Sequence, residues 1–401
     1  MSDLSSIATS RLPRVWILGP RVDHYRTAVF DGIRERGRAD RRYDLSVLGT
    51  LQDGRAFGGQ AREYFRSCPQ TDFRVLGASL CRWPDAERLV EGERPDVVVL
   101  AANPRNTTTW TLPALCRRLG IPVVGWTKLH SYSSLAPVMP LIKPTYYRRF
   151  TRMICYGESG RRELVALGYP AERTTVAHNT IDTRMIFTDA ERIRARSEAI
   201  RSERGLIGKR ILLNIGRMNP DKRHRDLIEA WPSLKALDSS LVMVLVGDGP
   251  LATDLRAAAA AMDPERILVT GRVPEGEDYA WIAASDICVY PGAVGLAINQ
   301  SLALGRPTVI ADERGSDSEV LIGHGPGQTG WRFPRGDRAR LVTAVRWILE
   351  HPGEVATVAE RGRALVRDQW TLENMIDAID GCIRETLAEF TAGSRGHPSA
   401  A

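Results

Sequence analysis

Short apolar runs alternate with helix-length amphipathic stretches along the whole chain. This alternation is typical of βαβ units, in which a helix carries the chain from one parallel strand to the next. Each half of the chain offers enough strands for one doubly wound sheet, so the sequence predicts an α/β protein with two such domains. The predicted strands are residues 15–18, 45–48, 97–101, 123–126, 153–156 and 175–177 in the first half and 211–215, 241–246, 267–270, 287–290 and 308–310 in the second.

The length of 401 residues also favours two domains, because a single hydrophobic core rarely serves more than about 250–300 residues. An arginine-rich stretch within residues 182–210 has few side chains suited to a core and is the predicted boundary region. We predict an N-terminal domain over residues 1–185 and a C-terminal domain over residues 186–370. Residues 392–401 are small and polar, which predicts a flexible tail.

Hydropathy and cysteine usage indicate a cytoplasmic protein. No stretch approaches the length of a membrane span, and the N-terminal residues lack the apolar centre of a signal peptide. Six scattered cysteines without a Cys-x-x-Cys pair suit neither a zinc cage nor a disulfide framework. The histidines have no acidic or cysteine partners at ligand spacing, and no Asp-x-Asp occurs. We therefore expect no metal and no other cofactor.

The surplus of positive over negative charge lies entirely in the first half of the chain. Residues 1–185 hold 28 Lys and Arg against 18 Asp and Glu, whereas the remainder holds 27 against 30. One segment mixes basic residues with rings, as proteins at an anionic lipid surface do. We expect peripheral contact with the inner face of a membrane, against the alternative of an ordinary helix with its rings packed inward. The segment contains Lys143, Tyr146, Tyr147, Arg148, Arg149, Phe150 and Arg152.

The most specific segment begins at Ile211, where a strand, a turn and a helix follow one another. Arg217 and Lys222 lie near the carboxyl end of that strand. Ligands of open α/β sheets bind at this edge, and two cations beside a helix N-terminus suit a diphosphate. From this segment alone, a solvated basic loop is an equally good interpretation. Three later strands end in glycine-rich turns, within residues 247–250, 271–273 and 292–296, which favours the diphosphate.

These segments, GRMNPDK, GDGP, GRV and GLAINQSLALGRPTVI, resemble the retaining glycosyltransferases of family 4 in their order and spacing. Enzymes of that family have the GT-B fold and move a sugar from a nucleotide diphosphate to an acceptor. The resemblance covers the C-terminal half well, and YGESGRRELVALG and VAHNTID extend it in outline to the N-terminal half. It implies two Rossmann-like domains facing across a cleft. A helix over about residues 371–391 would return to the first domain.

The resemblance also implies roles for single residues. Arg217 and Lys222 would stabilise the leaving diphosphate, and His130 resembles the histidine that faces the donor sugar in many relatives. Tyr25 and Arg26 are candidates for acceptor contact, against the alternative of a ring packed on the sheet and a solvated arginine. The candidate donor-binding residues are Gly19, Gly216, Arg217, Lys222, Gly247, Arg272, Val273, Gly292, Val294, Gly295, Leu296 and Gln300.

One departure from the family concerns its usual pair of glutamates, which align with Gly292 and Gln300 here. In the family the second glutamate holds the ribose and the first approaches the donor sugar. We expect Gln300 to hydrogen-bond hydroxyl groups through its amide, and the substitution Gln300→Glu to be tolerated. Gly292 would leave room beside the sugar.

The predicted function is glycosyl transfer with retention, from a UDP- or GDP-type sugar to a lipid-linked, saccharide or small-molecule acceptor. It would serve the assembly of polysaccharides, glycolipids or natural-product glycosides, without a nucleic acid partner. Two alternatives remain open. The missing glutamates favour a noncatalytic nucleotide-sugar-binding partner of another transferase. A nucleotide-sugar epimerase would need more carboxylates and histidines than these motifs supply.

Overall fold

The computed structural model describes residues 11–22, 24–51, 62–75, 77–129, 139–274, 276–312 and 319–394. The chain divides into two compact units. The first unit contains the chain up to His178 together with the C-terminal helix from Glu373, and the second is Asn179–Leu372. The division after His178 precedes the predicted boundary at residue 185.

The first unit is built on a seven-stranded parallel sheet and a separate hairpin. Its strands are β1 Arg14–Val22, β2 Asp44–Leu51, β3 Phe65–Ser67, β4 Thr71–Val75, β5 Ala78–Arg82, β6 Val97–Ala101, β7 Val123–Thr127, β8 Arg152–Cys155 and β9 Thr174–Val176. The sheet order is β3-β2-β1-β6-β7-β8-β9. Strands β6, β7 and β8 are buried along nearly their whole length, as expected for a parallel sheet covered on both faces.

The antiparallel hairpin of β4 and β5 was not predicted from the sequence. Strand β4 reads Thr-Asp-Phe-Arg-Val, and all of its residues but Phe73 are exposed. A strand with so little buried surface lacks the apolar run that marks a core strand. The three-residue strand β3 was missed because it is too short to show any period.

Within the described residues, six α-helices belong mainly to the first unit, and the last of them follows the second unit in the chain. Helix α14, Leu372–Ser394, is held to the first unit by polar contacts. The buried Tyr43 hydroxyl donates to Asp380 at 2.7 Å, and Arg152 forms ion pairs with the more exposed Glu385 and Glu389. The helix continues through Ser394, so residues 392–394 of the predicted tail are helical, and residues 395–401 lie outside the described part. The helices are α1 Thr27–Ala39, α2 Ala86–Glu93, α3 Thr108–Arg118, α4 Met139–Tyr147, α5 Glu158–Ala166 and α14 Leu372–Ser394.

The segment predicted to face a membrane is part of the core of the first unit. Tyr146, Tyr147 and Phe150 are all less than 5% exposed, so the expectation that these rings meet a lipid surface is wrong. Two of the basic side chains are also engaged: Lys143 pairs with Glu163 at 2.5 Å, and Arg149 lies over the Trp110 ring. The alternative of an ordinary helix with inward rings describes this segment.

The second unit contains a six-stranded parallel sheet. Its strands are β10 Arg210–Ile215, β11 Leu241–Val246, β12 Ile267–Gly271, β13 Ile287–Tyr290, β14 Thr308–Ala311 and β15 Trp331–Phe333. The order is β12-β11-β10-β13-β14-β15, so the chain adds strands on one side of β10 and then on the other. The crevice between β10 and β13 is therefore the topological switch point, where open α/β sheets bind ligands at the carboxyl ends of their strands.

The described part of the second unit has eight α-helices. The arginine-rich stretch predicted as a boundary includes one of them, α7 Ala190–Glu203. This helix is an integral part of the unit, because Ile193 and Ile200 are buried and Ile200 shares a cluster with the strand residue Leu213. The exposed face of α7 is tied down by ion pairs, such as Arg201 with Asp286 at 2.8 Å. The helices are α6 Arg184–Thr188, α7 Ala190–Glu203, α8 His224–Lys235, α9 Ala252–Met262, α10 Glu277–Ala284, α11 Ala297–Ala303, α12 Arg338–Glu350 and α13 Pro352–Asp368.

The six cysteines are all buried and unbridged. Burial raises the pKa of the Cys116 thiol to about 12, which keeps it protonated and unreactive near neutral pH.

Among the helices in the described residues, none is both long enough and apolar enough to cross a membrane.

Candidate functional site

Four loops meet at the carboxyl edge of the second sheet, after β10, β11, β12 and β13. The loop after β10 is fastened at Met218, whose backbone N–H donates to Asp248 at 2.9 Å and whose carbonyl accepts from Leu251 at 3.1 Å. The Met218 side chain is fully buried, whereas the neighbouring Arg217 is exposed. No hydrogen bond or ion pair of the Arg217 guanidinium is found within the described residues. Arg217 is thus a cation held at the switch point by a rigid loop.

The loops after β10 and β11 are packed backbone to backbone, which requires glycine at Gly247. Its φ angle is 140°, and a Cβ atom there would lie 1.9 Å from the carbonyl oxygen of Gly216. A side chain of any size would force the two loops apart. The predicted donor-binding residues Gly216 and Gly247 therefore form the contact between these two loops of the site.

The loop after β13 is attached to the turn that carries Lys222. The N–H of Ala293 donates to Asp221 at 3.0 Å, and Lys222 Nζ donates to the Ala293 carbonyl at 2.5 Å. A Cβ atom on Gly292 would lie 2.2 Å from the Asp221 oxygen. The expectation that Gly292 leaves room beside a sugar is therefore wrong, because backbone already occupies that space.

Lys222 occupies the junction of these two loops. Its side chain is half-buried, and its ammonium also lies close to Gly295, where an added Cβ would come within 3.3 Å of Nζ. An ammonium group has three N–H donors, and the Ala293 carbonyl uses one of them. The contact fixes the position of the charge without neutralising it, as a preorganised anion site requires.

The remaining predicted donor residues lie around the same edge. Arg272 is exposed and follows β12, and Val273 after it is half-buried. Val294 packs into the core of the second unit, while Leu296 is the residue immediately before α11. The structure thus gathers the predicted residues of the second unit around one edge, with Val294 supporting the loop from inside.

A further pair at this edge joins α10 to α11. The Gln300 amide nitrogen donates to Oδ2 of Asp278 at 2.8 Å, and both side chains are half-buried. Burial raises the pKa of Asp278, opposed by hydrogen bonds from Gln300 and the backbone. Sequence reasoning missed Asp278, because no motif relates it to Gln300.

His224 is a second residue that sequence reasoning did not place in the site. It begins α8 directly behind the Lys222 turn, is 1% exposed, and its Nδ1 has no hydrogen-bond partner among the described residues. Burial, reinforced by the Lys222 charge, lowers the pKa of His224 to about 4. The imidazole is therefore neutral near pH 7 and supports the turn as an uncharged group.

This burial predicts an acid-sensitive fold. Because the folded-state pKa lies below the ordinary value of 6.5, the unfolded chain binds the proton more tightly, and stability falls as the pH drops from about 6.5 towards about 4. The full loss is about 3 kcal/mol, at 1.36 kcal/mol per pKa unit. Urea unfolding at pH 7 and pH 4.5 should show a smaller pH effect in His224→Leu than in the wild type. The same substitution at the exposed His324 should leave the pH effect unchanged.

The candidates in the first unit form a separate cluster at the carboxyl edge of its own sheet. Arg26 is only 8% exposed, and its guanidinium lies 5.4 Å from the ring centre of Tyr25 and 5.3 Å from that of Tyr156. The alternative of a solvated arginine is therefore wrong. Lys128 lies 5.7 Å from the same Tyr156 ring, so two cations gather around one aromatic side chain. Lys128 and Tyr156 were not predicted from the sequence.

Two other predicted residues of the first unit have different outcomes. Gly19 does not end the first strand, because β1 continues to Val22. His130 lies outside the described residues. The preceding residue, Leu129, is buried with a φ of 58°, an uncommon conformation for a branched side chain at a strand end.

No group of three or more His, Cys, Asp or Glu side chains suited to a metal ion occurs in the described part of the chain. The described residues place the cations Arg217 and Lys222 at the switch point, with Arg272 on the neighbouring loop after β12. An anion, such as a diphosphate, is the ligand that this edge suits.

Two family models match the chain. The model for glycosyl transferases group 1 matches residues 209–351, and the model for Glycosyltransferase Family 4 matches residues 36–185. The two matches together cover most of both units. The chain belongs to this glycosyltransferase family, and the resemblance predicted from its motifs is confirmed.

Curated relatives carry transferase names. D-rhamnosyltransferase WbpZ of Pseudomonas aeruginosa is 27% identical over 253 residues, which are 61% of this chain and 57% of that protein. Alpha-D-kanosaminyltransferase of Streptomyces kanamyceticus is 25% identical over 277 residues, 68% of this chain and 66% of that protein. The chain thus spans less than two thirds of the length of these two relatives.

Solved structures show the same fold. HepE of Anabaena in complex with UDP has a TM-score of 0.71 and 16% identity, with 94% of this chain and all of that chain covered. WaaG, described as a glycosyltransferase involved in lipopolysaccharide biosynthesis, has a TM-score of 0.62 and 14% identity over 92% of this chain and all of that chain. The predicted GT-B fold, with two Rossmann-like units, is confirmed.

Proposed function

We propose that this chain transfers a sugar from a nucleotide diphosphate sugar to an acceptor, with retention of anomeric configuration. The observation that carries the proposal is the pair of cations, Arg217 and Lys222, on one rigid loop at the topological switch point of the second unit. Family membership supplies the reaction class. The proposed donor-binding unit is therefore Asn179–Leu372.

The two cations act on the charge that develops during the reaction. When the bond between the anomeric carbon and the phosphate oxygen breaks, negative charge grows on the leaving diphosphate. Groups that bind this charge more strongly in the transition state than in the ground state accelerate the step. Lys222 is preorganised by the Ala293 carbonyl, and the planar guanidinium of Arg217 suits two phosphate oxygens at once.

Retention needs no carboxylate of the protein as a base. We propose that the acceptor hydroxyl attacks the anomeric carbon on the face from which the diphosphate departs. Its proton passes to the leaving phosphate oxygen as the new carbon–oxygen bond forms. The absence of the family's two glutamates at Gly292 and Gln300 is therefore compatible with activity.

The donor is proposed to carry UDP or GDP, and the acceptor to be lipid-linked, a saccharide or a small molecule. The UDP complex of the similar HepE structure supports a nucleoside diphosphate donor, and the names of the relatives support transfer of a sugar. The acceptor class stays a prediction. Peripheral contact with an anionic membrane stays a prediction. It rests on the charge surplus of residues 1–185, because the rings of residues 146–150 are buried.

The proposal is tested by the release of nucleoside diphosphate. A thermal-shift screen of nucleoside diphosphates and their sugars first identifies the donor, because a ligand that binds the folded state raises the melting temperature. The donor is then incubated with candidate acceptors. Release of nucleoside diphosphate that depends on the acceptor would support the proposed glycosyl transfer. Binding without release would support the noncatalytic partner, and conversion of the donor sugar without acceptor would support an epimerase.

Turnover is expected to be independent of divalent cations, because protein cations supply the charge that a metal ion would supply. Activity measured in EDTA should match activity in magnesium within about twofold, a difference under about 0.5 kcal/mol in barrier height. A complete loss in EDTA that magnesium restores would show that the diphosphate is held by a metal ion.

A further inference from the structure

Asp278 and Gln300 are brought together from separate helices at the ligand edge of the second sheet. Asp278 lies in the first turn of α10, which follows β12, and Gln300 lies on α11, which follows β13. Their side chains meet at 2.8 Å between the Gln300 amide nitrogen and Oδ2 of Asp278. Both helices pack on the same face of the sheet, where Ile282 and Ile298 share one buried cluster.

The bond determines which end of the Gln300 amide faces away from Asp278. A glutamine amide has a donating NH₂ end and an accepting carbonyl end, and an ionised carboxylate can only accept. With the NH₂ end donating to Asp278, the carbonyl oxygen points to the other side. A carbonyl oxygen accepts hydrogen bonds from hydroxyl groups as one oxygen of a glutamate carboxylate does.

We propose that Asp278 is a positioning residue that holds the Gln300 carbonyl oxygen towards the hydroxyl groups of the donor ribose. The proposal rests on the proposed function, because it assumes that a nucleotide occupies this edge. Asp278 and Gln300 together replace the single carboxylate that the family has at position 300.

Burial of the Asp278 carboxylate carries a cost in stability. Oδ1 of Asp278 is buried and has no hydrogen-bond partner among the described residues. An unsatisfied buried acceptor destabilises a fold. The backbone N–H groups of the first turn of α10 offset part of this cost, since a helix N-terminus favours a carboxylate. An apolar residue at position 278 would avoid the cost but would leave the Gln300 amide free to rotate.

The test uses two ligands and a reciprocal pair of substitutions in the full chain. Calorimetry measures the affinity for UDP and for 2′,3′-dideoxy-UDP, which lacks the ribose hydroxyl groups. Asp278→Asn lets the Gln300 amide take either orientation, so only about half of the molecules keep the carbonyl oxygen on the ligand side. UDP affinity should then fall about twofold, and affinity for the dideoxy analogue should stay unchanged. Gln300→Glu places two carboxylates 2.8 Å apart and should weaken UDP binding similarly. We thus expect the opposite of the tolerance that the sequence predicts for this variant.

The double variant Asp278→Asn/Gln300→Glu should recover UDP affinity. The amide of the new asparagine would donate to the new glutamate, whose second oxygen would face the hydroxyl groups. The control is Glu277→Gln, because Glu277 neighbours Asp278 on α10 but pairs with Arg196. It should affect both ligands equally or not at all.

Three outcomes would overturn the positioning role: additive losses in the double variant, equal effects of Asp278→Asn on both ligands, or wild-type protein that binds the two ligands equally. Failure of the proposed function has a different signature. In that case the wild-type protein would bind none of the nucleoside diphosphates in the thermal-shift screen. Melting temperatures of all variants separate loss of fold from loss of binding.

Discussion

Arg217→Ala should lower turnover by at least about 100-fold with little change in melting temperature. The loop around it is fixed by Met218 and Asp248, which the substitution does not touch. The exposed guanidinium makes no hydrogen bond or ion pair within the described residues, so its removal costs the fold almost nothing. Steady-state kinetics with the donor found by the screen provides the measurement. Affinity for the nucleoside diphosphate should fall about fivefold or more, the scale of one charge-assisted hydrogen bond.

The matched control is Arg225→Ala, which removes an equally exposed cation from the first turn of α8. It tests whether charge anywhere near the switch point is sufficient, and we expect turnover to stay within about twofold of wild type. Lys222→Ala should show a comparable loss of turnover, together with some loss of stability, because it also removes the bond to Ala293. Unchanged diphosphate affinity in both Arg217→Ala and Lys222→Ala would refute their assignment to the donor.

The sequence predicted the elements whose structure follows from one local pattern, such as an unbroken apolar run. Strands such as Val97–Ala101 and Leu241–Val246 are buried on both faces, so their residues are apolar without interruption. Leu241–Val246 is followed by Gly247, where two backbones approach closely. The ligand-binding edge of the second sheet can therefore be located from the sequence alone.

What the sequence did not reveal depends on contacts between distant segments. Asp278 is an ordinary acidic residue in the first turn of a helix until Gln300 is brought beside it. Lys128 and Arg26 follow different strands, and both reach the Tyr156 ring only in the folded unit. The burial of Tyr146 and Phe150 likewise follows from the elements that pack on them. Interleaved rings and charges in a helix do not distinguish a core face from a membrane face.

Gly292 shows how a motif alignment can assign a residue correctly to a loop and still misjudge its surroundings. The family usually has a glutamate at this position, so a glycine suggests an empty space beside the donor sugar. In the structure the Cα of Gly292 faces the backbone of Asp221 and Lys222, and an added Cβ would lie 2.2 Å from the oxygen of the first and 2.7 Å from the carbonyl carbon of the second. Neither atom belongs to a side chain that can rotate away. The glycine lets two loops of the site touch.

Gly292→Glu, which would return the family's carboxylate, is therefore expected to abolish activity rather than raise it. The two loops must separate, which breaks the bonds from Ala293 to Asp221 and from Lys222 to Ala293 and releases the Lys222 ammonium from its position. Gly292→Ala should already lower the free energy of unfolding by about 1–3 kcal/mol, the usual cost of overpacking, and weaken diphosphate binding. Urea unfolding and calorimetry measure the two effects.

Gly353→Ala provides the control, because Gly353 lies in α13 with no atom within 4 Å of the added Cβ. That variant should be as stable as wild type or slightly more stable, since alanine favours a helix. Wild-type stability in Gly292→Ala, or a gain of turnover in Gly292→Glu, would mean that the loop after β13 does not rest on the Lys222 turn. In that case the replacement of the family's glutamate by Gly292 would affect only the chemistry of the donor. In the structure the two loops touch, so this replacement also allows the loop after β13 to hold Lys222 in place.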